Sequence, residues 1–175
     1  MVPRVSSSAR KYIPVALFDP SVIASDAVLT VAQASLETFG ILASRVFTAW
    51  NETVSGRLKS DFRVSAEVTY NNFPFPAPSE ERRSAIALAA QGVLDARAAH
   101  PDSTLADLYD PLSMPRDLLD AHRVLDRAVL AAYGLPSDSD STTILGHLFR
   151  LYEQLSKADE LTFEEKGPRK RTRKG

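Results

Sequence analysis

The chain has 175 residues, 44% apolar and 25% charged, which is ordinary for a soluble globular protein and fits one domain or two small ones. It contains no Cys, which excludes disulfides, zinc thiolates and a thiol nucleophile, and no apolar run approaches the length of a membrane span. The net charge of −1 hides an asymmetry: after Glu165 come Lys166, Arg169, Lys170, Arg171, Arg173 and Lys174 with no acid, so removing these six leaves residues 1–165 at −7. Residues 159–175 are therefore expected to form a disordered, solvated basic tail. No apolar stretch follows the bases of Met1–Lys11 in the manner of a secretory signal, so the cytoplasm is the expected setting.

In chain order, residues 1–11 read as a loose opening segment. Tyr12 to Phe18 is apolar and β-prone, with Pro14 marking an edge or a strand start, and Asp19-Pro20-Ser21 is a turn signal. Val22 to Val31 reads as a second short extended piece, broken at Ser25-Asp26. From Ala34 to Val54 the period becomes helical. Leu36, Phe39, Ala43, Val46, Trp50 and Val54 form one apolar stripe, and Gly56 follows as a stop. The single Trp lies on that stripe, which makes it a core residue rather than a ligand platform.

Arg57 to Tyr70 then reads as strand, with a break near Ser65-Ala66, and Pro74 and Pro76 end the pattern because neither can continue a ladder. After Pro78 the composition turns to Ala, Leu and charge. Ser79 is the expected N-cap of a helix running to Ala99, with Glu80 and Glu81 in its first turn, where acids suit the helix dipole. Leu105 to Tyr109 makes one helical turn. A further helix opens at Pro115, carries Leu118, Leu125, Val129 and Ala132 inward and stops at Gly134. A last helix is marked by Ile144, Leu148, Leu151 and Leu155. The fold class is thus α+β: a mixed strand and helix module over residues 1–76, incomplete at its N-terminal side, then a small helical bundle over residues 77–158.

Much familiar chemistry is missing. The Gly residues are too scattered to build a phosphate-cradling or dinucleotide loop, and His100, His122 and His147 have no metal-ligand spacing. His122 lies between Leu118 and Leu125 and is expected to be a satisfied histidine at the core edge. Pro101-Asp102 with Glu164-Glu165-Lys166 imitates a metal-dependent nuclease motif, but Asp102 falls in a turn between helices and Glu164 opens the charged end. Asn72-Phe73-Pro74-Phe75 imitates the Asn-Pro-Pro-aromatic motif of DNA amino-methyltransferases, with Phe73 where that motif has its first Pro. Phe73 and Phe75 are expected instead to anchor the first module on the second.

The stretch Arg57 to Arg63 is the part that points outward. Arg57, Lys59, Asp61 and Arg63 are spaced two apart, and a continuous strand would set all four in a row on one face. Such a row makes a poor core strand, since unpaired charges are almost never buried, and suits a polar, anionic partner.

These residues also carry a family resemblance. Gly56-Arg57-Leu58-Lys59-Ser60-Asp61-Phe62-Arg63 and Val68 to Pro76 resemble the C-terminal region of MmeI-like Type IIL restriction-modification enzymes. So do Tyr12-Ile13-Pro14, Ile23-Ala24-Ser25-Asp26, Phe39-Gly40-Ile41-Leu42, Leu105 to Leu112, Leu118 to His122 and Leu125 to Val129. The likeness spans about Tyr12 to Leu155. In that family one chain joins a nuclease, a helical connector, an adenine methyltransferase that uses S-adenosylmethionine, a target recognition domain and a helical C-terminal domain. The resemblance covers only the end of the target recognition domain and the helical domain. It therefore implies double-stranded DNA as a partner, no catalytic residue and no cofactor in this chain, and S-adenosylmethionine only in a methyltransferase part, carried by a separate methyltransferase and nuclease polypeptide or absent altogether.

Carried over, the family's base-reading positions fall on Ala27, Lys59, Asp61 and Arg63, and members vary between Lys-x-Asp and Glu-x-Arg at the second and third. Lys donates to guanine O6 and N7 while Asp accepts from cytosine N4, so Lys59 and Asp61 together suit the two edges of one G·C pair. Arg63 suits a further guanine or a phosphate, and Arg57 a phosphate. On the residues alone, base reading stands level with a surface ion pair between Lys59 and Asp61, worth ~0–1 kcal/mol; the resemblance favours base reading. The alternative from another class is a small helical interaction protein with no DNA role.

Overall fold

The computed structural model describes residues 1–166, with side chains as far as Ala158. Its elements are β1 (Val2–Pro3), β2 (Val5–Ser6), β3 (Val28–Leu29), α1 (Leu36–Ala43), α2 (Arg45–Val54), β4 (Gly56–Leu58), β5 (Asp61–Arg63), a π-helical turn (Ala66–Tyr70), α3 (Glu80–Ala98), α4 (Leu105–Leu108), α5 (Arg116–Ala132) and α6 (Ser141–Lys166). About half the chain is helix and less than a tenth strand, an α+β fold weighted heavily to α. The expected tail from residue 159 is helical as far as Lys166; residues 167–175 lie outside those described.

The predicted helix over 34–54 is two helices, broken at Ser44. That residue is fully buried and extended (φ −84°, ψ 163°), and its hydroxyl donates to the Ile41 carbonyl at 2.7 Å. A serine that bonds its own helix's carbonyl competes with the backbone ladder. Across the core, Asp126 Oδ1 accepts from the Arg45 amide at 2.9 Å, so α5 caps the N-terminus of α2 where a carboxylate is favoured.

The opening residues, expected to be loose, are ordered by distant partners. Val2 and Pro3 pair antiparallel with Leu29 and Val28, and Val5 and Ser6 pair with Arg63 and Phe62. Conversely, Tyr12–Phe18 forms no strand. Tyr12, Ile13, Val15 and Ala16 are buried as a chain segment laid across the helices, its carbonyls taken by side chains and termini: Arg97 Nη1 donates to Val15 O at 2.8 Å and the Met1 amine to Ala16 O.

The bundle is not confined to residues after 77. Helix α3 packs chiefly on α5 and on α1, while α2 packs on α6. One continuous core runs from Val2 through Phe47, Trp50 and Phe73 to Ile86, Leu125 and Leu148. The Phe73 ring packs on aromatic rings of its own module, and the crossing to the second module is made beside it. Phe73 meets Phe47, Trp50 and Phe75 edge-on at centroid distances of 5.1, 6.1 and 4.9 Å, and Tyr133 of the second module donates to the Pro74 carbonyl at 3.0 Å. Trp50 is buried, donates to Thr69 O at 3.0 Å, and meets Phe149 and Tyr152 of α6.

Candidate nucleic-acid interface

The outward stretch is a two-residue hairpin rather than one strand. β4 and β5 pair antiparallel with Gly56 opposite Arg63, Arg57 opposite Phe62 and Leu58 opposite Asp61, and Lys59 and Ser60 make the turn. Lys59 sits at φ 57°, a conformation that tight hairpin turns demand and that glycine adopts most readily. With β2 on the other side of β5, the sheet order is β2-β5-β4.

The turn overturns the expected single row of four charges. Directly opposed residues share a sheet face, so Arg57 lies with buried Phe62 and Ser6, whereas Asp61 and Arg63 lie on the other face with exposed Val5 and Leu58. Arg57 is occupied locally: its guanidinium stacks 4.4 Å from the Phe62 ring centroid and Nη1 donates to Ser60 O at 3.1 Å, closing the hairpin. It supports the tip rather than extending from it.

Lys59, Asp61 and Arg63 form no side-chain hydrogen bond or ion pair with any described residue, and no Lys59–Asp61 pair exists within 4 Å. Lys59 and Arg63 are exposed and Asp61 is half-buried. The structure thus presents a cation at the turn, and an acid and a cation two residues apart on the open face of the sheet. Each keeps its full hydrogen-bonding capacity for a partner.

Ala27 comes close through the opening segment. The Arg4 amide donates to Ala27 O at 2.9 Å, and Arg4 O accepts from the Val64 amide at 2.9 Å. Residues 2–6 therefore lie between Ala27 on one side and the hairpin on the other. Arg4 is exposed at that junction, and its side chain bonds to no described residue. Its place is not marked in the sequence, because pairing with residues 27 and 64 leaves no local pattern. Only the cationic character of residues 1–11 hinted at it.

Two of the three histidines are accounted for by side-chain hydrogen bonds. His122 is fully buried and neutral: burial, then the Arg97 charge, push its pKa down to about 3. Its Nε2 accepts from Tyr109 Oη at 2.6 Å, its ring stacks on Tyr12 at 4.1 Å, and Nδ1 faces the Ala43 carbonyl without reaching hydrogen-bond geometry. It is a core residue, deeper than the expected core edge. His100 pairs with Asp117 at 2.9 Å on the surface. Among the described residues no three His, Asp or Glu side chains are grouped to hold a metal, and no helix is long and apolar enough to cross a membrane.

Comparison with known proteins accounts for nearly the whole chain. The family model "MmeI, target recognition domain" matches residues 1–77 and "MmeI, C-terminal domain" matches residues 78–159. The chain belongs to the MmeI family. It is 38% identical over 156 residues to DNA methyltransferase A of Bacillus subtilis (strain 168), a match that takes in 89% of this chain and 18% of that protein. It also matches the solved structure of the Type IIL restriction-modification enzyme MmeI in complex with DNA, with a TM-score of 0.85 and 38% identity over 89% of this chain and 21% of the other. The chain spans about a fifth of the length of each of these two relatives.

Proposed function

We propose that this chain is the DNA-recognition part of an MmeI-like adenine methyltransferase and restriction enzyme, with Lys59 and Asp61 reading one G·C pair and Arg63 and Ala27 beside them. The observation that carries this reading is the hairpin tip, where Lys59, Asp61 and Arg63 stand within five residues of one another without protein partners. Donor and acceptor at these positions match guanine O6/N7 and cytosine N4, and a contact of this kind discriminates against a wrong base by ~1–3 kcal/mol. Methyl transfer and S-adenosylmethionine belong, in this reading, to a methyltransferase part that this chain assembles with, carried on a separate polypeptide together with the nuclease. The cytoplasm, where DNA and that cofactor meet, is the compartment proposed. A helical interaction module with no DNA role would leave the unpartnered charges at the tip unexplained.

The test is a specificity swap. This chain, assembled with the methyltransferase part of an MmeI-like enzyme, is assayed for methylation across duplexes that differ at one base pair, as the parent and as Lys59→Glu with Asp61→Arg. The expected outcome is that preference at one position reverses from G·C to C·G while the remaining positions keep theirs. An unchanged preference would show that this pair does not read a base.

A further inference from the structure

We propose that a pocket where the two modules meet, formed by Lys11, Arg123 and Arg127, is a second DNA contact that takes a backbone phosphate of the duplex read by the hairpin. This rests on the DNA-recognition reading above. The pocket, of about 310 Å³, gathers Lys11 from the opening loop, Arg45 from the start of α2, and Arg123 and Arg127 from α5, with Tyr12 and Asp126 at its floor. Four cations converge there on a body, residues 1–165, whose net charge is −7 with these four included.

The cations are not spent on the pocket's one acid. Asp126 is turned inward, accepting from Tyr12 Oη at 2.8 Å and from the Arg45 amide at 2.9 Å. Arg45 is anchored by Nη2 on Ser139 O and Ser137 O, and its Nε lies 4.0 Å from Asp126, so it holds the floor in place. Arg123 shares Asp120 with Arg116 and keeps donors free. Lys11 lies 5.9 Å from the Tyr12 ring centroid, and neither it nor Arg127 pairs with any described acid; both are exposed. Arg123 and Arg127, four apart on one helix, repel each other unless an anion lies between them.

Position ties the pocket to the hairpin. Lys11 follows Ser6 by five residues, and Ser6 is paired with Phe62 inside the hairpin sheet. A fully extended chain of that length reaches about 18 Å. Along duplex DNA that is roughly five base pairs, since each strand carries a phosphate every ~3.4 Å of axis. One duplex seated on the hairpin therefore has backbone within reach of the pocket.

The test measures binding of a target-site duplex at several salt concentrations, with this chain assembled as in the specificity experiment. Three forms are compared: the parent, Lys11→Gln with Arg127→Gln, and a control with Arg82→Gln and Arg150→Gln, which removes two exposed cations elsewhere. For the pocket variant the expected result is a loss of affinity of about tenfold or more. Its plot of log affinity against log salt should be shallower by about 0.9, the value of one lost phosphate contact, with base preference unchanged and the control matching the parent. A salt slope equal to the parent's, or an equal change in the control, overturns the phosphate site and leaves the hairpin reading intact. A parent that binds no DNA in this assembly overturns both.

Discussion

Lys59 is the residue where the fold gives way to a demand other than stability. The first position of its two-residue turn favours glycine, and a side chain at φ 57° costs on the order of 1 kcal/mol. Nothing among the described residues repays that cost, because the ammonium contacts no described acid. A contact made only when DNA is bound accounts for it. Lys59→Gly is therefore expected to melt no lower than the parent, and up to about 1 kcal/mol higher in stability, while discrimination at one base pair falls by ~1–3 kcal/mol. Thermal denaturation alongside binding to matched and mismatched duplexes checks both halves; a variant that loses stability and keeps its preference would place the value of Lys59 inside the fold. Arg57 predicts the converse. It holds the hairpin through Phe62 and Ser60, so Arg57→Ala is expected to weaken binding to all duplexes by a similar factor, with preference kept, since an exposed cation–π contact is worth ~0.5–1 kcal/mol. A competition assay on matched and mismatched sites reads that ratio directly.

Among the elements, α1 packs closely on its neighbours at Gly40, and its sequence shows why. A Cβ at Gly40 would stand 2.9 Å from Ile86 Cγ2 and 3.1 Å from both Ala90 Cβ and Leu125 Cδ1, so glycine lets α1 settle between α3 and α5. At Gly92, inside α3, an added Cβ meets nothing within 4 Å. The two glycines predict opposite signs. Gly40→Ala overpacks the core and should destabilise by ~1–3 kcal/mol, whereas Gly92→Ala should stabilise by ~0.5–1 kcal/mol through helix propensity. Urea denaturation of both variants decides this, and like signs would mean that α1 does not sit as described. Elements of this kind are legible in the sequence: α3 opens after its expected N-cap Ser79, α4 is the expected single turn, and α5 buries the expected Leu118, Leu125, Val129 and Ala132, because helical hydrogen bonds are local and the apolar stripe of a long helix repeats. The first two strands are not legible. β1 and β2, two residues each, exist only through partners far along the chain, whereas β3 falls inside the expected extended piece Val22–Val31; the β-prone run at Tyr12 is drawn into the core by His122 and Arg97 instead of joining a sheet. The charged stretch was recognised as outward-facing, but its shape was not. A spacing of two reads as one strand face until a turn at Lys59 and Ser60 sends Arg57 to the other side.

For the molecule as a whole, the decisive feature is that the recognition module and the helical module share their interior, including a buried polar chain. Arg97 of α3 donates from Nε at 2.9 Å and from Nη2 to Tyr109 Oη; Tyr109 donates to His122; His122 stacks on Tyr12, and Tyr12 bonds Asp126 beside the α2 cap. Burial raises the Tyr12 phenol far above its ordinary range, the Asp126 carboxylate adding to the effect, so the phenol keeps its proton near neutral pH. His122 sets the pH response. Its pKa is about 3 in the folded chain against an ordinary 6.5, so between these values the unfolded chain binds a proton that the folded chain refuses. Stability is then complete above about pH 6.5 and declines as pH falls, by up to ~1.4 kcal/mol per pH unit from this group. Asp126 acts in the opposite direction near the acid end, because burial raises its pKa above the ordinary 3.8 and lets the folded chain take up a proton first. The expected measurement is a urea midpoint that drops steadily from pH 6.5 to 4.5. In His122→Gln, which still offers Tyr109 an acceptor but cannot be protonated, the same decline should be flatter, although the variant starts from a lower midpoint at pH 7. Because the network joins α2, α3, α5 and the segment that leads into the hairpin sheet, fluorescence of Trp50 and far-ultraviolet circular dichroism should report one shared transition at every pH. Two separated transitions, or parallel acid slopes in parent and variant, would mean that the modules do not stand or fall on a common interior.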